Sequence, residues 1–185
     1  MSQIKEETRV QAQIAGGVIA STRELPRKGQ ILRGCELESL HGPTVRFSDY
    51  RGRSALIVFL TDERQETEKL LRDAASHYEE LKRQNAELLA IIHGSHEEAS
   101  SLQRRLSLPY PVLLDTDGRL HRELGARDAQ QNDAASIYVT DVFGEVTAIF
   151  LTANGESLPA IGEVTRQLEF ISFQCPECEA PEWPA

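Results

Sequence analysis

Residues 54–60 read SALIVFL and residues 87–93 read ELLAIIH. Each is an unbroken apolar run of strand length. That pattern belongs to a strand covered on both faces inside a parallel sheet, where no polar alternation is needed. Between the runs, Leu70, Leu71, Ala74, Tyr78 and Leu81 recur at helical spacing while Lys, Arg and Glu fill the opposite face. The spacing predicts one amphipathic helix over residues 66–84. Strand, helix and strand with short connections imply a right-handed crossover between parallel neighbours. Both strands then end on the same edge of an α/β sheet.

Working outward, Ser95-x-x-Glu98 is a capping box that opens a helix reaching about Leu106. Val112 to Leu114 is a short strand, followed by an Asp117-Gly118 turn and a short helical stretch ending at Gly125. Residues 135–140 and 146–151 alternate on either side of Asp141 to Gly144, which predicts an antiparallel hairpin and makes the sheet mixed. Ser157, with Pro159 in the first turn, is expected to open a last helix carrying Ile161, Val164, Leu168 and Ile171 on one face. Upstream, Leu37 and Leu40 precede a His41-Gly42-Pro43 turn and Val45 and Phe47 follow it, an N-terminal hairpin added to the sheet. The expected organisation is an arm over residues 1–28, one domain over 29–173 and a proline- and glutamate-rich tail over 174–185.

Twenty Lys and Arg against 29 Asp and Glu leave a formal charge of -9, which argues against nucleic acid and against an anionic membrane surface as partners. No apolar run approaches the roughly 20 residues of a membrane span. The opening MSQIKEETRVQ is too charged for a signal peptide, so a cytoplasmic protein is expected.

Three segments resemble peroxiredoxins of the alkyl hydroperoxide reductase and thiol-specific antioxidant family. LHGPTVRFSDYRGR at 40–53, running into SALIVF, looks like that family's opening hairpin, its "LSDYRGK" turn and its first core strand. LPYPVLLDTDG at 108–118, with Leu124-Gly125 after it, resembles "PFPLLSDPDG…YG". Residues 136–146, SIYVTDVFGEV, are similar to "TFLIDxxGxI". The resemblance covers residues 34–172 and implies a thioredoxin-like fold, a central mixed sheet flanked by helices, and thiol-dependent peroxidase chemistry just after the first core strand.

At that position the thiol is missing. The segment reads Thr61-Asp62-Glu63-Arg64-Gln65-Glu66-Thr67-Glu68, with Arg64 and Thr67 about where a Cys-x-x-Cys of the fold would lie. Before the later hairpin strand, where the family has a cis-proline or an arginine, this chain has Asp133-Ala134-Ala135. A reactive thiolate needs helix amides and nearby cations, whereas this helix start is crowded with carboxylates that cap a helix and oppose a thiolate. The expectation is a peroxiredoxin-like protein without peroxidase activity at the usual place.

The remaining candidates are weighed individually. Cys175-Pro176-Glu177-Cys178 is open to three readings: a redox pair serving a protein partner, half of a zinc site completed by His residues or by a second copy of the chain, or two idle thiols. No cofactor is required, and zinc is the one the motif allows. His93 and His96 flank the carboxyl end of the second core strand, the edge where α/β sheets bind ligands, although polar residues are also ordinary there. His41, His77 and His121 are expected in a turn or on polar helix faces. Cys35 is expected as a small buried hydrophobe. Trp183 is expected to anchor the tail onto its own domain or onto a neighbouring subunit, and with the N-terminal arm it suggests a homodimer.

Overall fold

A computed structural model describes residues 25–61, 65–126, 134–152 and 157–172. Seven strands form one mixed sheet: β1 Glu36–Ser39, β2 Val45–Arg46, β3 Ala55–Thr61, β4 Ala86–Ile92, β5 Val112–Leu114, β6 Ser136–Thr140 and β7 Val146–Leu151, in the spatial order β2-β1-β5-β4-β3-β6-β7. The helices are α1 Gln65–Arg83, α2 His96–Leu106, α3 Arg119–Glu123 and α4 Ile161–Ser172. As the apolar runs predict, β3 and β4 lie in the middle, every residue of both is buried, and they pair in parallel from Ala55 opposite Ala86 to Thr61 opposite Ile92. β5 continues the parallel set beside β4, and β6 and β7 add antiparallel strands beside β3.

Strand alternation sends odd and even residues to opposite faces. Ile57, Phe59, Leu88 and Ala90 meet Leu71, Ala74 and Leu81 of α1, Ala99 and Leu106 of α2, and Ile161, Val164 and Leu168 of α4. Leu56, Val58, Leu60, Leu89 and Ile91 meet Leu120 of α3 and Leu124 just after it, together with Leu32 and Phe47 from the opening segment. Three long helices therefore cover one face, and a short helix with irregular chain covers the other. The expected hairpin is present, with Leu37 opposite Val45, but Phe47 begins a 3-10 turn over Phe47–Tyr50 instead of extending the strand.

Local signals account for several boundaries. The Ser95 hydroxyl accepts from the Glu98 N–H while the Glu98 carboxylate accepts from the Ser95 N–H, so α2 starts where the capping box places it. Asn85 turns the chain after α1 at φ 55°, a left-handed conformation that Asn tolerates, and its side chain bonds Ser54 and the Arg53 carbonyl at the start of β3. One boundary differs from expectation. α4 starts at Ile161 and not at Ser157 or Pro159, and the Ile161 N–H donates to Asp73 Oδ2 of α1 at 3.1 Å. The cap comes from a helix 88 residues away in sequence. Local reading has no access to such a partner.

Candidate functional site

The parallel strands β3, β4 and β5 deliver Thr61, His93 and Asp115 to a single edge of the sheet. Parallel topology makes this the edge where open α/β sheets hold ligands. α3 then brings His121 back beneath it. His121 Nδ1 lies 2.7 Å from Asp115 Oδ2, its backbone N–H donates to the same oxygen at 2.8 Å, and its Nε2 lies 3.2 Å from the Thr61 carbonyl oxygen. His121 is 0% exposed and Asp115 2%. The His93 ring, half-buried, sits beside the His121 ring at 5.6 Å between centroids.

The electrostatics follow from these contacts. Burial alone raises the Asp115 pKa, but the His121 ring, the His121 N–H and the Leu120 N–H outweigh it and bring the carboxyl down to about 2. Asp115 is therefore ionised and can only accept. A carbonyl oxygen also only accepts, so each nitrogen of His121 faces an acceptor. The pair is a buried histidine-carboxylate contact with both ring nitrogens within hydrogen-bond reach of an oxygen, the condition under which burying polar groups is tolerated.

His121 corrects the sequence expectation. α3 is a single short turn whose inner side is formed by Leu120, His121 and Leu124, so His121 faces the core and not a polar surface. The available signal was the spacing of Asp115 and His121 around the Asp117-Gly118 turn, which brings the two side chains together once Gly118 adopts φ 63°.

The other predicted residues fall as follows. Thr67 lies in the first turn of α1 and is 2% exposed. Beside it, Glu68 accepts from Arg105 Nη1 of α2 at 2.5 Å, and that bond holds its carboxyl below the usual range. His96 is exposed in the first turn of α2, with Nδ1 3.3 Å from the Ser100 hydroxyl, so the structure joins His93 to His121 and leaves His96 apart. His41 is exposed in its turn, and His77 on α1 approaches the Asp73 carbonyl oxygen at 2.9 Å. Arg64, Cys175, Cys178 and Trp183 lie outside the described residues.

Cys35 is half-buried against the α3-side core, across the sheet from α1. It lines a cavity of about 420 Å³ with Asp115, Leu120 and Glu123. Burial first, then the negative charges of Asp115 and Glu123, push its thiol up to about 12. A thiol so placed is protonated at neutral pH and faces away from the opening of α1. Among the described residues no group of three or more His, Cys, Asp or Glu side chains is arranged to hold a metal ion, and no helix is long and apolar enough to cross a membrane.

The fold is shared with solved structures. AhpC of Enterococcus faecalis superposes with a TM-score of 0.70 at 23% identity, over 80% of this chain and 94% of that one. AhpC of Mycobacterium tuberculosis gives 0.70 at 18% identity, over 85% and 98%. A mutant PrxQ of Xylella fastidiosa gives 0.69 at 14%, over 80% and 99%. No curated protein sequence matches the chain. A sequence profile of the AhpC/TSA family matches residues 29–149, from the opening segment through β6 and into β7. With that match extending over most of the chain, and with the sheet order and helix placement just described, the chain belongs to the AhpC/TSA family.

Proposed function

We propose that this chain is a member of the AhpC/TSA family that does not reduce peroxide at the family's usual position and acts as a binding or regulatory module. One observation carries the reading. Residues 61–68 contain no cysteine, and Thr67, where the fold would place one of its thiols, is buried beneath the first turn of α1. Peroxide reduction by a thiol requires a thiolate presented to solvent beside positive charge. Cys35 does not meet that requirement, because it packs on the opposite face of the sheet and burial with acidic neighbours keeps its thiol protonated. The edge formed by Thr61, His93 and the Asp115-His121 pair is the surface on which this reading places ligand recognition. The test is peroxide turnover by the reduced full-length protein, with none expected beyond that of a free thiol.

A second reading rests on the spacing of Cys175 and Cys178, which suits a disulfide-forming pair or two ligands of a structural zinc shared with a second copy of the chain. In this reading a cytoplasmic homodimer exchanges thiols with a protein partner. Thiol exchange with reduced thioredoxin that disappears in Cys175→Ser supports it. Stoichiometric zinc on tag-free protein supports the structural version, since ligating thiolates do not cycle.

A further inference from the structure

α3 is attached to the strand ends through His121. Asp115 is tied to the end of β4, its N–H donating to the Ile92 carbonyl at 2.9 Å, and its side chain accepts from the His121 N–H and ring. On the other side of that ring, Nε2 lies 3.2 Å from the Thr61 carbonyl oxygen at the end of β3, so the contact is a hydrogen bond only when Nε2 carries a proton. A ring protonated on both nitrogens bridges α3 to two strand ends. If the ring gives up one proton, ionised Asp115 retains the one on Nδ1, and the Nε2 lone pair is left pointing at a carbonyl oxygen 3.2 Å away. Two acceptors at that distance repel, and a buried acceptor without a donor is costly.

We propose that His121 is a proton-operated latch: doubly protonated, it docks α3 against the carboxyl ends of β3 and β4, and losing the Nε2 proton loosens α3. Arg119, Leu120 and Glu123 of α3 form one wall of the cavity containing Cys35, so loosening α3 opens that cavity. Several groups set the balance. The His93 ring faces His121 from β4. Cys35 interacts electrostatically with Asp115 from the segment before β1, and Glu36 and Glu38 reach the same cavity from β1. From α3 and its lead-in come Asp117, Glu123, Arg119, which pairs with Glu123 at 3.0 Å, and Arg122, whose Nη1 donates to the Asp117 carbonyl at 2.9 Å. The latch goes beyond the proposed function and operates whether or not peroxide is reduced.

The experiment is amide hydrogen exchange on the full chain, with the histidine ring signals followed by NMR between about pH 5 and about pH 9. The readout is the protection factor of the Arg122, Leu124 and Ala126 amides, which bond to Gly118, Leu120 and His121 carbonyls, against the Ala99 amide of α2 as control. The expected result is a fall of about tenfold or more in the α3 amides as the His121 ring titrates, with Ala99 unchanged. His93→Asn should retain the step, and His121→Gln should abolish it. The proposal is overturned if α3 protection is flat while His121 titrates, if the His121 ring does not titrate in that span, or if Ala99 falls in parallel. It is equally overturned if the step survives His121→Gln or vanishes with His93→Asn. The wild-type comparison decides the matter even if His121→Gln does not fold.

Discussion

His121 and Asp115, six residues apart in the chain, meet at 2.7 Å with both side chains buried. The contact joins the shortest helix to the ends of the central strands. It places ionisable groups beside a core that is otherwise mostly apolar.

The Asp115 carboxyl is held at about 2 against an ordinary 3.8, so the folded state binds its proton more weakly than the unfolded chain does. A depressed carboxyl pKa contributes stability that is complete above the unfolded value and is lost as pH falls through the folded value. The shift corresponds to about 2 kcal/mol. Asp115→Asn should cost on the order of 3 kcal/mol near neutrality, because it also weakens the acceptor that faces the buried His121 N–H and Nδ1. Urea unfolding of both proteins as a function of pH checks this. The gap between them should narrow as pH drops from about 4 toward about 2.

Tyr138 is 0% exposed and its hydroxyl donates to the Leu124 carbonyl at 3.1 Å, fastening the end of α3 to β6. Tyr138→Phe preserves the packing and removes the donor. It should destabilise the fold by about 1–2 kcal/mol, with the carbonyl of Leu124 left without that partner. A midpoint shift in urea without a change of slope is the expected signature.

Asp73→Ala removes the carboxylate that accepts from the Ile161 N–H. A loss of about 1 kcal/mol is expected, as for other helix N-terminal caps. Hydrogen exchange should speed up first in the opening turn of α4, with β3 and β4 unaffected.

Cys35 is expected to be a slow thiol. A pKa of about 12 in place of 9.0 lowers the thiolate fraction near neutrality by about a thousandfold. Peptide mapping after timed alkylation with iodoacetamide measures this. A rate within tenfold of a free cysteine would contradict the burial and charge described around the sulfur.

What could be read from the residues depended on how far away the determining partner lies. The central strands, α1 and the Ser95 box are legible because each depends on a run, a period or a partner three residues away. The α4 boundary is not, since its cap is Asp73 on another helix. His121 was misplaced for the same reason: its surroundings are supplied by Asp115 and Thr61, and a histidine amid Arg119, Arg122 and Glu123 reads as surface until the strands are assembled. Of the candidate edge, His93 was placed correctly at the end of β4, and its neighbour became visible only with the fold. Arg64, Cys175 and Cys178 lie outside the described residues, so their roles stand on spacing alone.

The central claim is that no thiol of this chain serves peroxide at the opening of α1. The direct measurement is the second-order rate of hydrogen peroxide consumption by fully reduced, full-length protein, compared with glutathione and with the Cys35→Ser and Cys175→Ser/Cys178→Ser variants. The account predicts a rate no greater than that of glutathione per thiol and little affected by replacing any one cysteine. Rapid, catalytic consumption that any one of these replacements abolishes would contradict it.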